Sequence, residues 1–270
     1  MASLLITRME GGSGRRVPDD LIVEEPMAIE LDDVRVSTTM RTPGHDFELA
    51  AGFLHTEGLL AGAPVIEVRY CANGSAVESG FNTVTVSSGG LAPRPTARLT
   101  TTTSSCGLCG SASLDELAGR LAPIDPAGLT RFDLSLLADL PGRALASQPL
   151  FDATGAVHAA VAFDSSGSVV IAREDVGRHN AVDKVVGRLL LDGALPASAL
   201  ALYVSGRASF EIVQKAWAAG FGTVVSVSAP TALAVDTARR AGITLVGFVR
   251  DDRFNVYSPE RVDHQLRNDR

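Results

Sequence analysis

Four apolar runs in the second half of the chain constrain its fold more than any other feature: SVVIA (168–172), ALYVS (201–205), TVVSVS (223–228) and ITLVGFV (243–249). A strand with one wet face alternates apolar and polar residues; these runs are nearly continuous, so each reads as a strand buried on both faces. Helical patterns separate them. Ala181, Val182, Val185, Val186, Leu189 and Leu190 make one apolar face, with Asp183, Lys184, Gly187 and Arg188 on the other. Ile212, Val213, Ala216 and Trp217 repeat that spacing. A third helix begins near Ser228 and Pro230 and ends with Arg239, Arg240 and Gly242, a distribution that suits the unpaired groups and dipole of helix ends. Strand and helix in alternation predict an α/β domain with a mostly parallel sheet covered on both faces.

The first half reads differently. VIEVRYC and FNTVTVSS alternate as antiparallel strands do, and HDFELAAGFLHTEGLL (45–60) places Phe47, Ala50, Ala51 and Leu54 at helical spacing before Gly58. This smaller part is α+β. At 46% hydrophobic and 20% charged, 270 residues suffice for a soluble protein with a sizeable core. Lys and Arg number 24 against 31 Asp and Glu, a net charge of −7. No general basic field therefore favours nucleic acid or membrane, and neither is expected as a partner; any anionic ligand must be met locally. Arg15 and Arg16 lead into the acidic VPDDLIVEEP rather than an apolar segment, so no export signal is expected. The uncharged run from Ala216 to Val235 is broken by GFG and SAP, which fits a helix end, a buried strand and the next helix better than a membrane span. Three cysteines make no disulfide framework, and the expected compartment is the cytoplasm.

In open α/β sheets the ligand sits beyond the carboxyl ends of the strands. Here those ends lead into REDVGRHN, SGRASFE, SAPTA and RDDRFNVY, each with Gly, Ser, Arg or Asn near a helix start or strand end. Backbone N–H groups and guanidinium forks hold anionic oxygens, so the four loops predict a phosphate-bearing ligand. Neither GxGxxG nor GxxxxGK[ST] occurs, which excludes the dinucleotide fingerprint and the P-loop.

Cys106 and Cys109 lie two residues apart in TTTSSCGLCGSASLDEL (101–117). Structural zinc takes four ligands, and no second ligand-spaced cluster exists among Cys71 and the five histidines, so no metal is expected. A thioredoxin-like centre follows the first strand of a βαβ unit, whereas this pair follows the connector APRPTARLTTTTSS. Sulfur carriage as a persulfide needs an accessible thiolate of depressed pKa. Ser113 and Glu116 have capping-box spacing, which would start a helix just after Cys109 and set its N–H groups beside the thiols. A turn with two chemically silent cysteines is the bland alternative.

Five segments, PGHDFELAAGFLHTEGLL, SSCGLCG, EDVGRHNAVDKVVG, SGRASFEIVQKAWAAGF and SAPTALAVDTARRAGITLVGFVRDDRFNVYS, occur in this order. Together, from about Val23 to Ser258, they resemble the formate dehydrogenase accessory sulfurtransferase family, FdhD or NarQ. The resemblance implies a cytidine-deaminase-like α/β part. It also implies a sulfur carrier that takes sulfur as a persulfide from a cysteine desulfurase. The acceptor would be the bis-molybdopterin guanine dinucleotide form of the molybdenum cofactor, before it enters formate dehydrogenase. Cys106 would carry the persulfide, with Cys109 its companion. Phe248, Val249, Arg250, Asp251, Asp252 and Arg253 match the cofactor-contacting stretch, and Ser205, Gly206 and Arg207 the SGR loop. Asp175, Gly177, His179, Asn180, Asp183 and Lys184 match EDVGRHNAVDK, of which His179 and Asn180 are expected at the cofactor.

GDP or GTP is expected to act as a partial mimic, and Asp251 or Asp252, with Asp236 a third candidate, to face the guanine donors. A homodimer is implied as well. The chain then divides into a flexible N-terminus (1–20), an α+β part ending in the CxxC loop and its helix (21–140), the cofactor-binding α/β domain (141–258) and a tail (259–270). Zinc deaminases carry H-x-E before P-C-x-x-C. His158-Ala159-Ala160 lacks the Glu and follows the CxxC, so deamination is not expected and His158 reads as a satisfied strand residue. A cofactor-binding chaperone that transfers no sulfur is the alternative function.

Overall fold

In a computed structural model of the chain, residues 1–71, 76–95, 121–125 and 128–258 are described. Cys106, Cys109, the capping pair Ser113 and Glu116, and the tail lie outside the described residues.

The N-terminal segment folds into a hairpin. β1 (Ala2–Glu10) and β2 (Ser13–Leu21) pair antiparallel across Gly11 and Gly12, both at positive φ. A two-residue hairpin turn of type I′ demands that conformation at both central positions, and glycine adopts it without a Cβ penalty. Ile6 pairs with Val17 on the half-buried side.

Next come β3 (Glu25–Leu31), β4 (Val34–Arg41), α1 (Asp46–Thr56), β5 (Glu67–Tyr70) and β6 (Thr83–Ser87). The strands form a sheet in the order β4-β3-β6-β5, and α1 covers it. Met27, Ile29, Leu31, Leu49, Leu54, Val84 and Val86 close the small core between them, so the α+β reading of this part holds.

The remaining elements are α2 (Leu134–Leu145), α3 (Pro149–Thr154), β7 (His158–Phe163), β8 (Val169–Asp175), α4 (Arg178–Leu191), β9 (Ala201–Val204), α5 (Phe210–Ala218), β10 (Thr223–Ser226), α6 (Ala232–Ala241), β11 (Thr244–Arg250) and β12 (Arg253–Ser258). Their sheet runs β12-β11-β10-β9-β7-β8. The four strands foreseen as buried runs, β8 to β11, all point the same way. Yet the sheet is mixed rather than mostly parallel: β9-β10 and β10-β11 are parallel ladders, whereas β7-β9, β7-β8 and β11-β12 are antiparallel. The cause is loop length. β8 returns from β7, and β12 from β11, by tight turns that can join only antiparallel neighbours.

Both faces of β9, β10 and most of β11 are covered, which explains their continuous apolar runs; β8 lies at the sheet edge with Val169 and Val170 exposed, so SVVIA is not the strand buried on both faces that its composition predicts. Leu202, Val204, Val224 and Leu245 face α4, α5 and α6 through Val182, Val185, Val213, Trp217 and Ala238. Ala201, Tyr203, Val225 and Val246 face the other way, onto Leu137, Leu140 and Ala144 of α2. A division at residue 140 therefore cuts a helix that belongs with the second sheet. Residues 121–124 are pinned to the same layer: Trp217 Nε1 donates to the Ala122 carbonyl at 2.8 Å and Ile124 N–H to that of Ala241 at 3.0 Å.

The two parts meet where α1 crosses α4. A Cβ on Gly52 would lie 1.9 Å from the Asp183 carbonyl oxygen, and one on Gly187 1.8 Å from that of Glu48. Only a pair of glycines lets the two backbones come so close.

Candidate functional site: the strand-end rim

The EDVGRHNAVDK motif serves two places at once. Its inward side chains hold the two parts together. Asp175, at the end of β8, is fully buried. Its Oδ1 accepts from Gly177 N–H at 2.8 Å and Asn180 Nδ2 at 3.0 Å, its Oδ2 from Thr42 N–H at 3.1 Å and Lys184 Nζ at 2.7 Å. Lys184 Nζ also donates to the Thr42 carbonyl at 2.9 Å, and Asn180 Nδ2 to that of Met40 at 2.7 Å. One turn later, Asp183 accepts from Thr56 Oγ1 at 2.8 Å and from Lys215 Nζ at 2.9 Å, and Lys215 reaches Glu57 at 3.0 Å. Burial pushes the Asp183 carboxyl up. Burial alone would lower Lys215, but the Asp183 and Glu57 carboxylates outweigh it and hold the ammonium charged. Asn180, foreseen at the cofactor, thus faces the seam with Met40 and Asp175.

The other side of the motif faces the rim at the carboxyl ends of the strands. Because β8, β9, β10 and β11 run in one direction, the loops after them emerge at one rim of the sheet. β7 runs against them, so its first residue, His158, arrives at the same rim. Ser205, just past β9, donates its N–H to the Ala159 carbonyl at 3.0 Å while its Oγ accepts from Ala159 N–H at 2.8 Å; His158 Nδ1 lies 3.5 Å from that hydroxyl. A Cβ on Gly206 would meet Arg178 Cδ and His158 Cε1 and Nδ1, each at 3.4 Å. Gly206 thus lies against both the His158 ring and the Arg178 side chain. His179 Nε2 sits 2.5 Å from a Glu211 oxygen and 3.4 Å from Ser209 Oγ, and Arg207 stands exposed beside them.

The rim continues without a break to β11. Ser226 Oγ donates to the Gly206 carbonyl at 2.6 Å, and Phe248 N–H to that of Ser228 at 3.2 Å. A Cβ on Gly247 would press on Pro230 Cδ at 3.0 Å and Tyr257 Cε2 at 3.1 Å, which again explains a glycine at a close approach. The β11-β12 register shifts between Gly247 and Arg250, and Phe248 there has φ 54°, a left-handed conformation costly for an aromatic residue. It stays about half exposed, 49%. Beside it a cavity of about 660 Å³ is lined by Phe248, Arg250, Asp252, Arg253, Phe254 and Asn255. Of the hexapeptide foreseen at the cofactor, Val249 instead packs into the core, and Asp251 forms the turn at φ 57°. Asp236 is exposed on α6 and does not line this cavity.

The structure thus gathers Ser205, Gly206, Arg207 and His179 at one stretch of the rim and Phe248, Arg250, Asp252 and Arg253 at another, joined through Ser226 and Ser228. Two rim residues escape the sequence reading. His158 is hidden because nothing local shows that β7 is inserted antiparallel between β8 and β9. Arg178 sits inside the quoted motif, where its place at the first turn of α4 is the available signal. Among the described residues, no group of three His, Cys, Asp or Glu side chains is placed to hold a metal ion, and no helix is long and apolar enough to cross a membrane.

Fold and rim define a class: a two-part α/β protein whose strand-end edge presents imidazole, hydroxyl and guanidinium groups at one stretch and, at another, an open cavity lined by guanidinium, carboxylate and aromatic groups. Residues 22–263 match the FdhD/NarQ family, and the chain belongs to it. "Sulfur carrier protein FdhD" of Streptomyces avermitilis is 49% identical over 263 residues, covering 94% of this chain and 93% of that protein. The protein of the same name from Anaeromyxobacter dehalogenans strain 2CP-C is 48% identical over 260 residues, covering 91% and 89%. The fold is similar to a crystal structure described as a formate dehydrogenase accessory protein from Desulfotalea psychrophila. The TM-score is 0.75 and the identity 27%, over 97% of this chain and 98% of that one.

Proposed function

We propose that this protein is a sulfur carrier for formate dehydrogenase maturation. It accepts sulfur on Cys106 from a cysteine desulfurase and passes it to a bis-molybdopterin guanine dinucleotide molybdenum cofactor held at the strand-end rim. The observation that carries the reading is the rim itself: four loops equipped for anionic oxygens, on one edge, in a chain whose relatives are named sulfur carriers. A bis-guanine-dinucleotide acceptor brings several phosphates. Arg207, Arg250 and Arg253 fit their charge, Phe248 offers a ring face, and Asp252 can accept from guanine N1 and N2 donors.

The chemistry balances with two thiols. The Cys106 thiolate attacks the outer sulfur of the donor persulfide, forming Cys106–S–S⁻ and releasing the donor thiolate, with no net oxidation. Handing that sulfur on as sulfide consumes two electrons. Cys109 supplies them by attacking the inner sulfur and closing a Cys106–Cys109 disulfide, which a cellular dithiol then reduces.

In cells lacking the native protein, Cys106→Ala and Cys109→Ala are expected to abolish formate dehydrogenase activity at unchanged protein level. Full activity with both variants contradicts sulfur carriage and leaves a cofactor chaperone. GDP is expected to raise the melting temperature of the protein. No stabilisation by GDP or GTP contradicts the guanine site.

A further inference from the structure

Arg178 is poorly explained by the fold. Its Nε is buried and has no hydrogen-bond partner among the described residues, whereas Asp175, Asn180 and Lys184 of the same motif are saturated. A buried guanidinium donor without a partner costs free energy, so a partner supplied by a ligand would recover it. Its neighbours are donors too. The Arg178 side chain and the His158 ring both come within 3.4 Å of where a Gly206 Cβ would stand, and the Ser205 hydroxyl, which accepts from Ala159 and lies 3.5 Å from His158 Nδ1, can turn its own proton to a ligand. Gly177, the residue before α4, has no side chain to cap the helix that starts at Arg178. The nearest carboxylates are committed elsewhere: Asp175 to four donors and Glu211 to His179. What fits between these groups is a tetrahedral oxyanion.

We propose that Arg178, His158 and the Ser205 and Gly206 turn form a phosphate subsite, separate from the cavity at β11 and β12. It rests on the guanine-nucleotide reading above and gives the second stretch of the rim a ligand. The site takes up a proton on loading. Burial lowers the pKa of His158, the neighbouring Arg178 and His179 side chains lower it further, and Asp175 opposes them. The empty site therefore holds a neutral imidazole near pH 7. A phosphate dianion reverses the local field, favours the imidazolium, and draws a proton from solvent.

Calorimetric titration of the full-length protein with GDP, guanosine and pyrophosphate, at pH 6.0 and 7.5 and in buffers of different ionisation enthalpy, tests this. Expected are tighter GDP binding at the lower pH, uptake of a fraction of a proton approaching one, and a loss of at least about tenfold in GDP affinity in Arg178→Ala, with guanosine unaffected. The terminal phosphate titrates in the same range, so the decisive pH comparison is wild type against His158→Gln, which should lose the excess uptake. GDP binding that is equal in wild type and Arg178→Ala, with equal proton uptake in His158→Gln, overturns the subsite and leaves the guanine pocket standing. Pyrophosphate binding that depends on Arg178, without any binding of guanosine or benefit from guanine, upholds the subsite and overturns the guanine reading. Absence of binding by GDP and pyrophosphate alike overturns both. Should Arg178→Ala misfold, proton uptake in the wild type against His158→Gln decides alone.

Discussion

The seam and the rim are built from the same eleven-residue motif and obey opposite rules. At the seam, the central charges are dry and answered: Lys184 by Asp175 at 2.7 Å, Lys215 by Asp183 at 2.9 Å, all four side chains at most 2% exposed. At the rim, donors outnumber acceptors, an aromatic residue holds a left-handed backbone, and Arg178 Nε has no partner among the described residues. Saturated polar networks fix one arrangement of packed parts. Unsaturated ones are tolerated where a ligand completes them. Four residues apart on one helix, the motif thus spends Asn180 and Lys184 on assembly and Arg178 and His179 on the edge.

That contrast predicts a graded set of effects. The largest falls at the seam: Asp183→Ala leaves the Lys215 ammonium buried without its main partner and should cost about 3–5 kcal/mol in urea unfolding. A loss below about 1 kcal/mol would show that water reaches Lys215. Gly187→Ala forces a Cβ onto the Glu48 carbonyl and should cost about 3 kcal/mol. If Gly52→Ala and Gly187→Ala lose stability additively, the helices part independently at the two points; strongly sub-additive losses are expected, since one separation relieves both.

Smaller effects fall at the rim. Phe248→Gly removes a side chain from φ 54° and should leave stability unchanged or raise it by up to about 1 kcal/mol, while the GDP-induced rise in melting temperature shrinks. A loss of stability with an intact GDP effect would move Phe248 from site to scaffold.

The smallest is the pH response, and its sign is fixed. Burial lowers the pKa of His45, His55 and His158, so between their lowered values and about 6.5 the unfolded chain binds more protons than the fold. Stability should therefore fall as the pH drops from 7 through that window. GDP should offset the part owed to His158 but not that owed to His55, whose ring meets the Ala218 carbonyl at 3.0 Å away from the rim.

The rim was more legible in the sequence than the seam. ALYVS, TVVSVS and ITLVGFV announce buried strands, SVVIA turns out to be an edge strand with Val169 and Val170 exposed, and the direction all four share brings their following loops to one edge. Phosphate-ready residues can then be read off loop by loop. The seam has no such local signature. Asp175 meets Thr42 across 133 positions, and Lys215 meets Thr56 across 159. A polar side chain in EDVGRHNAVDK looks the same in the sequence whether its partner is a ligand or a distant loop, which is why the sequence alone points Asn180 to the cofactor. HAAVAF, largely alanine, gives no sign that β7 divides β8 from β9. The N-terminal hairpin is legible only in Gly11 and Gly12, since its second strand carries four charges against two apolar residues, Val17 and Leu21.

The central claim is that Cys106 ferries sulfur toward this rim. Whole-protein mass spectrometry after incubation with a cysteine desulfurase and cysteine measures it directly. The account predicts one added sulfur atom, carried on the peptide containing Cys106, removed by dithiothreitol and absent in Cys106→Ala. Wild-type protein that gains no sulfur, or a Cys106→Ala protein that gains as much, would contradict it.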